Sequence, residues 1–355
     1  MRLLGRFALF GLLIAALASG TAAWVVRQRL QAPFKGYASE EQFVDLPRGT
    51  RPQAIGRALV SAGVIRDPVV FRVALWLSGS ARRLKAGEYR FDQPMTPGAV
   101  IAKIASGDVF LRSITFPEGL TIRDLARGYE ARGFGAAASF AAAAAAGDLV
   151  ADLDPAARDL EGYLFPDTYA LGRRDAAREL VAMMVARFRT VAGPELLREA
   201  RARGLSVRRL VTLASIVEKE ASDSRERPAI AAVYLKRLRI GMPLQSDPTV
   251  IYALERAGRY RGNLTKENLT FDSPYNTYRY AGLPPGPIAA PGRSALEAAA
   301  KAPDTEFLYF VSRNDGTHEF ARTLAEHNRN VQRFQVQYFK GGKGRASPQP
   351  QARSR

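Results

Sequence analysis

The chain has no cysteine in its 355 residues and only two histidines, His318 and His327. The missing cysteine excludes disulfides, thiolate chemistry and a lipid attached through sulfur. Two histidines at this spacing make no ordinary His/Cys zinc site, so neither a metal nor another cofactor is expected. Zinc-finger spacing and an aromatic RNP-like strand are both lacking, and no nucleic-acid partner is expected. Acidic residues are few as well: 34 Asp and Glu stand against 52 Lys and Arg, a net charge of +18. Such a balance favours an anionic neighbour, either a membrane surface or an anionic polymer. What the chain does have is apolar residues, 47% of the total, enough for a sizeable core in two or three domains.

Residues 7–26 form an uncharged run behind a short basic head at 1–6, long enough to cross about 30 Å of hydrocarbon as a helix. Trp24 sits where an interfacial anchor would. Arg2 and Arg6 before the run are nearly balanced by Arg27, Arg29 and Lys35 after it, so charge hardly sets the orientation. The short basic head favours a signal anchor with its N-terminus inside. Ala18-Ser-Gly20 and Thr21-Ala-Ala23 leave open the competing reading of a cleaved signal peptide.

An echo follows a linker at 27–40. Val44-Asp-Leu-Pro-Arg-Gly-Thr50 and Ile114-Thr-Phe-Pro-Glu-Gly-Leu120 each lead into an apolar-periodic stretch that ends at glycine, Gly63 and Gly133. Each copy reads as strand, Pro-x-Gly turn and helix. Between them, Gly87–Phe91 reads as a strand, Pro97–Ser106 as a helix and Val109–Phe116 as a strand. Further helices are expected over Ala136–Ala146, Asp175–Arg189, Pro194–Arg203 and Pro228–Leu238, and strands over Phe307–Val311 and near Gly316–Phe320.

The remaining chemistry centres on Leu210–Ser222. Leu210, Leu213, Ala214, Val217 and Ala221 fall on one helical stripe, with Ser206 placed as an N-cap. Glu218 and Glu220 lie at its end. Two residues apart on a helix, they point to nearly opposite sides, so one cleft takes one of them. The turn-neighbours of Glu218 are small, Ala214, Ser215, Ala221 and Ser222, which suits an approaching ligand. A carboxyl against partly apolar surface keeps its proton to higher pH, as a general acid must. Downstream, Gln245-Ser-Asp-Pro-Thr249, Tyr275-Asn-Thr-Tyr278 and the stiff Gly282–Ile288 interleave amides, hydroxyls and tyrosine rings. That mixture suits a sugar, which needs hydrogen bonds at its edge and stacking on its face. Glu161 and Asp167, in the aromatic stretch Glu161–Tyr169, are weaker candidates with structural roles open to them.

The ordered set Ala214–Ala221, Arg237–Tyr252, Tyr275–Tyr278, Gly282–Ile288 and His318–Phe320 closely resembles the YceG-like family, the endolytic murein transglycosylases of the MltG type. Ser246 stands where the family pattern leads one to expect Thr, and Pro287 where it leads one to expect Ala. The resemblance implies a single-pass inner-membrane protein with its enzyme domain in the periplasm. It implies peptidoglycan glycan strands as substrate, cut internally to leave 1,6-anhydro ends, and the company of peptidoglycan synthases. It places the catalytic acid on Glu218. Gln245, Asp247, Thr249, Tyr275, Asn276, Tyr278 and His318 are the candidates for holding the glycan. Two alternatives stay open: a hydrolase of the same bond using Glu218 with Asp247 or Glu220, and a wall-binding anchor without catalysis.

The expected fold is α+β. A transmembrane anchor at 7–26 precedes a small LysM-like α+β domain at 41–112. A second strand-turn-helix unit and helical connection occupy 113–205. A mixed α/β catalytic core fills 206–338, and a disordered basic tail follows at 339–355.

Overall fold

The computed structural model describes residues 2–173 and 176–340, without the side chains of residues 2–12, 15, 22 and 339. The tail at 341–355 lies outside the described residues. The chain divides into two compact units, residues 1–112 with 170–174, and residues 113–169 with 175–355.

The first unit opens with α1, Arg2–Gln31, a single helix that takes in the run 7–26. Among the described residues, no helix is long and apolar enough to cross a membrane. Then come β1 (Gln42–Leu46), α2 (Pro52–Ser61), α3 (Pro68–Ser78), β2 (Gly87–Phe91) and α4 (Pro97–Ser106). β1 and β2 pair antiparallel, Val44 opposite Tyr89, and alternate residues turn inward. Local signals fix the helices. Asp67 caps α3 and Thr96 caps α4, each followed by proline at the first helical position, and left-handed Gly79 and Gly107 end them. Leu46, Leu59, Phe71, Tyr89 and Ile101 close the core between ribbon and helices.

The second unit is mostly helical. β3 (Arg112–Thr115) leads to α5 (Ile122–Ala131) and α6 (Ala137–Ala144), and β4 (Thr168–Leu171) shares a two-stranded sheet with β3. α7 (Ala177–Val191), α8 (Pro194–Ala202), α9 (Val207–Glu220) and α10 (Arg227–Arg239) follow. α11 (Asp247–Arg256), α12 (Arg293–Lys301), the antiparallel ribbon of β5 (Tyr309–Ser312) and β6 (His318–Ala321), and α13 (Leu324–Val331) complete it. The expected mixture of helices and strands is present, and among the described residues its strands form two-stranded pairs only. α9 is the hub, packed against α8, α10, α11 and α12. One apolar stripe was expected on it. Instead every residue from Leu210 to Val217 is buried, because partners surround it. Ser206 caps it through the Arg209 N–H, as its position implies.

The sequence reading missed α11. Gln245–Thr249 reads as a rigid turn, but Pro248 stands in the first helical turn, where its missing N–H costs nothing.

Candidate active site

The end of α9 carries two buried carboxylates with different company. Glu218 Oε1 accepts from Arg227 Nη2 at 2.5 Å, and its Oε2 accepts from the Gly292 N–H at 3.0 Å. Arg227, itself buried, also reaches Glu118 Oε2 at 3.2 Å. Burial pushes the Glu218 carboxyl up. The Gly292 N–H opposes this, the Glu118 charge adds to it and Arg227 opposes it again. The small residues beside Glu218 do leave space, but the chain fills it. The Ile288 N–H donates to Ser215 Oγ at 3.0 Å, so the segment 288–292 lies along this face of α9. A Cβ at Gly292 would meet the Glu118 carboxylate, which would have to swing aside.

Glu220 faces the other way, among hydroxyls. Ser246 Oγ donates to its Oε2 at 3.2 Å, and the buried Tyr234 hydroxyl lies close enough to favour its charged form. No ion pair involves Glu220 among the described residues. Burial raises its carboxyl first and the Asp247 charge raises it further, with His318, Ser246 and Tyr234 opposing. Asp247, the first residue of α11, accepts the Tyr278 hydroxyl at 2.6 Å. The His318 ring sits on Glu226, Nδ1 to Oε2 at 2.8 Å, and Glu226 Oε1 also accepts the His318 N–H. The arrangement is a shielded carboxyl ringed by hydroxyls, a carboxylate and an imidazole, able to exchange a proton with a polar ligand.

The other expected contacts divide. Gln245 is exposed beside Ser246, with its backbone at φ +50° and its N–H on Thr277 O. Thr249 and Asn276 are fully buried and spent internally. Thr249 Oγ1 meets Ser246 O at 2.7 Å and Thr277 Oγ1 at 2.9 Å. Asn276 Nδ2 donates to Leu269 O and Phe271 O, and its Oδ1 accepts the Tyr278 N–H. These two build the loop rather than touch a ligand. Tyr275 is elsewhere, its ring 5.0 Å from that of Tyr252. Asp167 is tied to Arg187 at 2.7 Å. Among the described residues, no group of His, Asp and Glu could hold a metal ion.

A model of the YceG-like family matches residues 44–333. The chain belongs to that family. An endolytic murein transglycosylase of Bacillus subtilis is 31% identical over 315 residues, 82% of this chain and 84% of that protein. One from Streptococcus pneumoniae is 30% identical over 318 residues, which are 81% of this chain but 57% of the pneumococcal protein. The crystal structure of a putative YceG-like protein from Listeria monocytogenes is 31% identical and superposes with a TM-score of 0.55, covering 82% of this chain and 98% of that one. The YceG-like match takes in α9, α11 and the β5–β6 ribbon, so the whole Glu220 cluster lies inside it.

A third buried carboxyl, Glu161, lies apart from the other two. Its Oε1 accepts the Ile122 N–H at the start of α5 and its Oε2 accepts the Tyr252 hydroxyl at 3.2 Å. Burial pushes it up to about 8. Arg256 Nη1 donates to the same Tyr252 oxygen at 3.1 Å. The sequence signal for this cluster was the aromatic stretch beginning at Glu161, but nothing in it pointed to Tyr252 or Arg256.

Proposed function

We propose that this protein is an endolytic peptidoglycan lytic transglycosylase that cuts the MurNAc–GlcNAc bond of glycan strands without water, with Glu220 as its acid and base. Family membership and relatives named endolytic murein transglycosylases support the reaction. The choice of Glu220 rests on one observation: it is the α9 carboxyl that is buried among hydroxyls and free of an ion pair. The resemblance alone favoured Glu218, but a guanidinium and a backbone N–H already engage both of its carboxylate oxygens.

The chemistry needs one residue in two roles. Protonated Glu220 gives its hydrogen to the glycosidic oxygen as the bond from the MurNAc C1 breaks. The sugar's C6 hydroxyl attacks C1, and the Glu220 carboxylate takes that hydroxyl's proton, leaving a 1,6-anhydro ring and a regenerated acid. No second carboxylate has to activate water, in contrast to the paired carboxylates of most glycosidases. Asp247, oriented by Tyr278, faces the positive charge that develops at C1, and its negative charge holds the Glu220 proton on until transfer. His318, oriented by Glu226, favours the carboxylate form that takes the proton back.

The test is mass spectrometry of digested strands with Glu220→Gln and Glu218→Gln proteins. Loss of 1,6-anhydro ends in the first and their persistence in the second is expected; the reverse pattern returns the acid to Glu218. Free reducing ends from the unaltered protein point to the hydrolase instead.

Location belongs to the same proposal. The uncharged run 7–26 lies within one helix, which supports an inner-membrane anchor with the rest of the chain in the periplasm. The β-α-α-β order of residues 42–91 supports a LysM-like module that holds glycan, and peptidoglycan synthases are the proposed neighbours. Release of the protein from membranes by alkaline carbonate speaks against the anchor.

A further inference from the structure

A cavity of about 550 Å³ opens between α5, α6 and the last turn of α11, a size typical of small-ligand sites. Its lining is unusual in being both methyl-rich and charged. Ala126, Ala138 and Ala141 give it a shallow apolar floor. Arg127 lies on its edge, exposed and with no ion pair among the described residues, whereas Arg123 is paired with Glu255 at 3.0 Å. Tyr252 and Glu161 form its polar wall. α11 links this cavity to the acid site. Its first residue, Asp247, belongs to the Glu220 cluster and its last, Arg256, lines the cavity. Nine residue steps of helix separate them, about 14 Å along the axis.

We propose that this cavity binds the short acidic peptide that hangs from the lactyl ether of MurNAc, so that the enzyme reads peptide-bearing strands in preference to bare ones. The proposal rests on the transglycosylase reading above. An alanine-rich peptide presents methyl groups to the alanine floor and a carboxylate to Arg127. Its backbone carbonyls find a donor in Tyr252. In the structure the Tyr252 hydroxyl donates to Glu161 Oε2 and accepts from Arg256; protonation of Glu161 reverses the first bond and turns the Tyr252 hydrogen toward the cavity. Burial of Glu161 supports that state at neutral pH, with Asp159 reinforcing it and Arg256 opposing it.

Two measurements test this with the whole chain. Calorimetric titration with the peptide L-Ala-γ-D-Glu-L-Lys-D-Ala-D-Ala should show saturable binding that Arg127→Glu and Ala141→Leu each weaken about tenfold. Cleavage should then be compared on strands with their peptides and on strands stripped of them by an amidase. The unaltered protein should have a kcat/KM about tenfold higher on the peptide-bearing strands. Either variant should erase that preference while leaving cleavage of stripped strands unchanged. Absence of peptide binding overturns the proposal whether or not glycan is cut. So do equal rates on the two strands, or variants that slow both alike. A protein that binds the peptide but releases no 1,6-anhydro ends from either strand would sink the reaction and leave the peptide site standing.

Discussion

Glu218 and Glu220 stand two residues apart on α9, yet one is tied into the scaffold by an ion pair and the other sits in a cluster of polar side chains. Glu218 holds Arg227 and the Gly292 N–H, joining α9 to α10 and to the segment before α12. Glu220 accepts from the Ser246 hydroxyl, with Asp247 and His318 acting on it through charge. Both are buried, and burial alone raises both carboxyls. The difference lies in what offsets that burial. Glu218 is engaged directly by a guanidinium, whereas the hydrogen bond to Glu220 comes from a neutral hydroxyl. Burial alone therefore does not separate the two carboxyls; their partners do.

The comparison breaks most sharply at the level of rate. Glu220→Gln should lower kcat by about 10³ with little change in folding, the usual scale for removing a general acid. Glu218→Gln should cost less than about tenfold in the same assay. Equal losses would show that the two carboxylates act as one unit. Next in size is Asp247→Asn, expected to lower kcat by about 10 to 100-fold by removing charge beside the reacting carbon. It should also shift the alkaline limb of the kcat–pH profile downward, because the Asp247 charge helps keep the proton on Glu220.

Stability should show the opposite ranking. Arg227→Gln leaves the buried Glu218 charge without its partner and should cost about 3 kcal/mol, read from the denaturant midpoint. No single-residue change at Glu220 should approach that figure, since no buried cation depends on it. Glu161 sharpens the contrast from a third position. Its folded pKa of about 8 lies above its ordinary 4.5, so the folded protein binds the proton more tightly than the unfolded chain. Its contribution is fully present below about pH 4.5 and is lost as pH rises through about 8, on the order of a few kcal/mol. Glu161→Gln should flatten that part of the stability–pH curve. If the slope persists, another buried group carries it.

Much of this was legible in the sequence where local signals governed. Gly87–Phe91 and Pro97–Ser106 are the observed β2 and α4, because alternation, an N-cap threonine, a first-turn proline and a terminal glycine act within a few residues. The helical wheel correctly sends Glu218 and Glu220 to opposite sides. It could not say which partners each would meet, because Glu218 is engaged by a segment 74 residues away in sequence through the Gly292 N–H. Thr249 and Asn276 misled for a related reason. Polar side chains that tie a loop together look the same in sequence as those that meet a ligand. Of the proposed glycan contacts, Asp247, Tyr278 and His318 gather around Glu220, while Tyr275 sits on Tyr252.

The left-handed backbone at Gln245 carries one more consequence. A non-glycine residue held there is under torsional strain of order 1 kcal/mol. Gln245→Gly relieves that strain but also loosens the unfolded chain, so melting should move little in either direction. What the exchange does remove is the exposed amide at the rim of the Glu220 cluster. A swap that is thermally silent and yet raises KM would mark the kink as tension retained to aim a side chain at sugar.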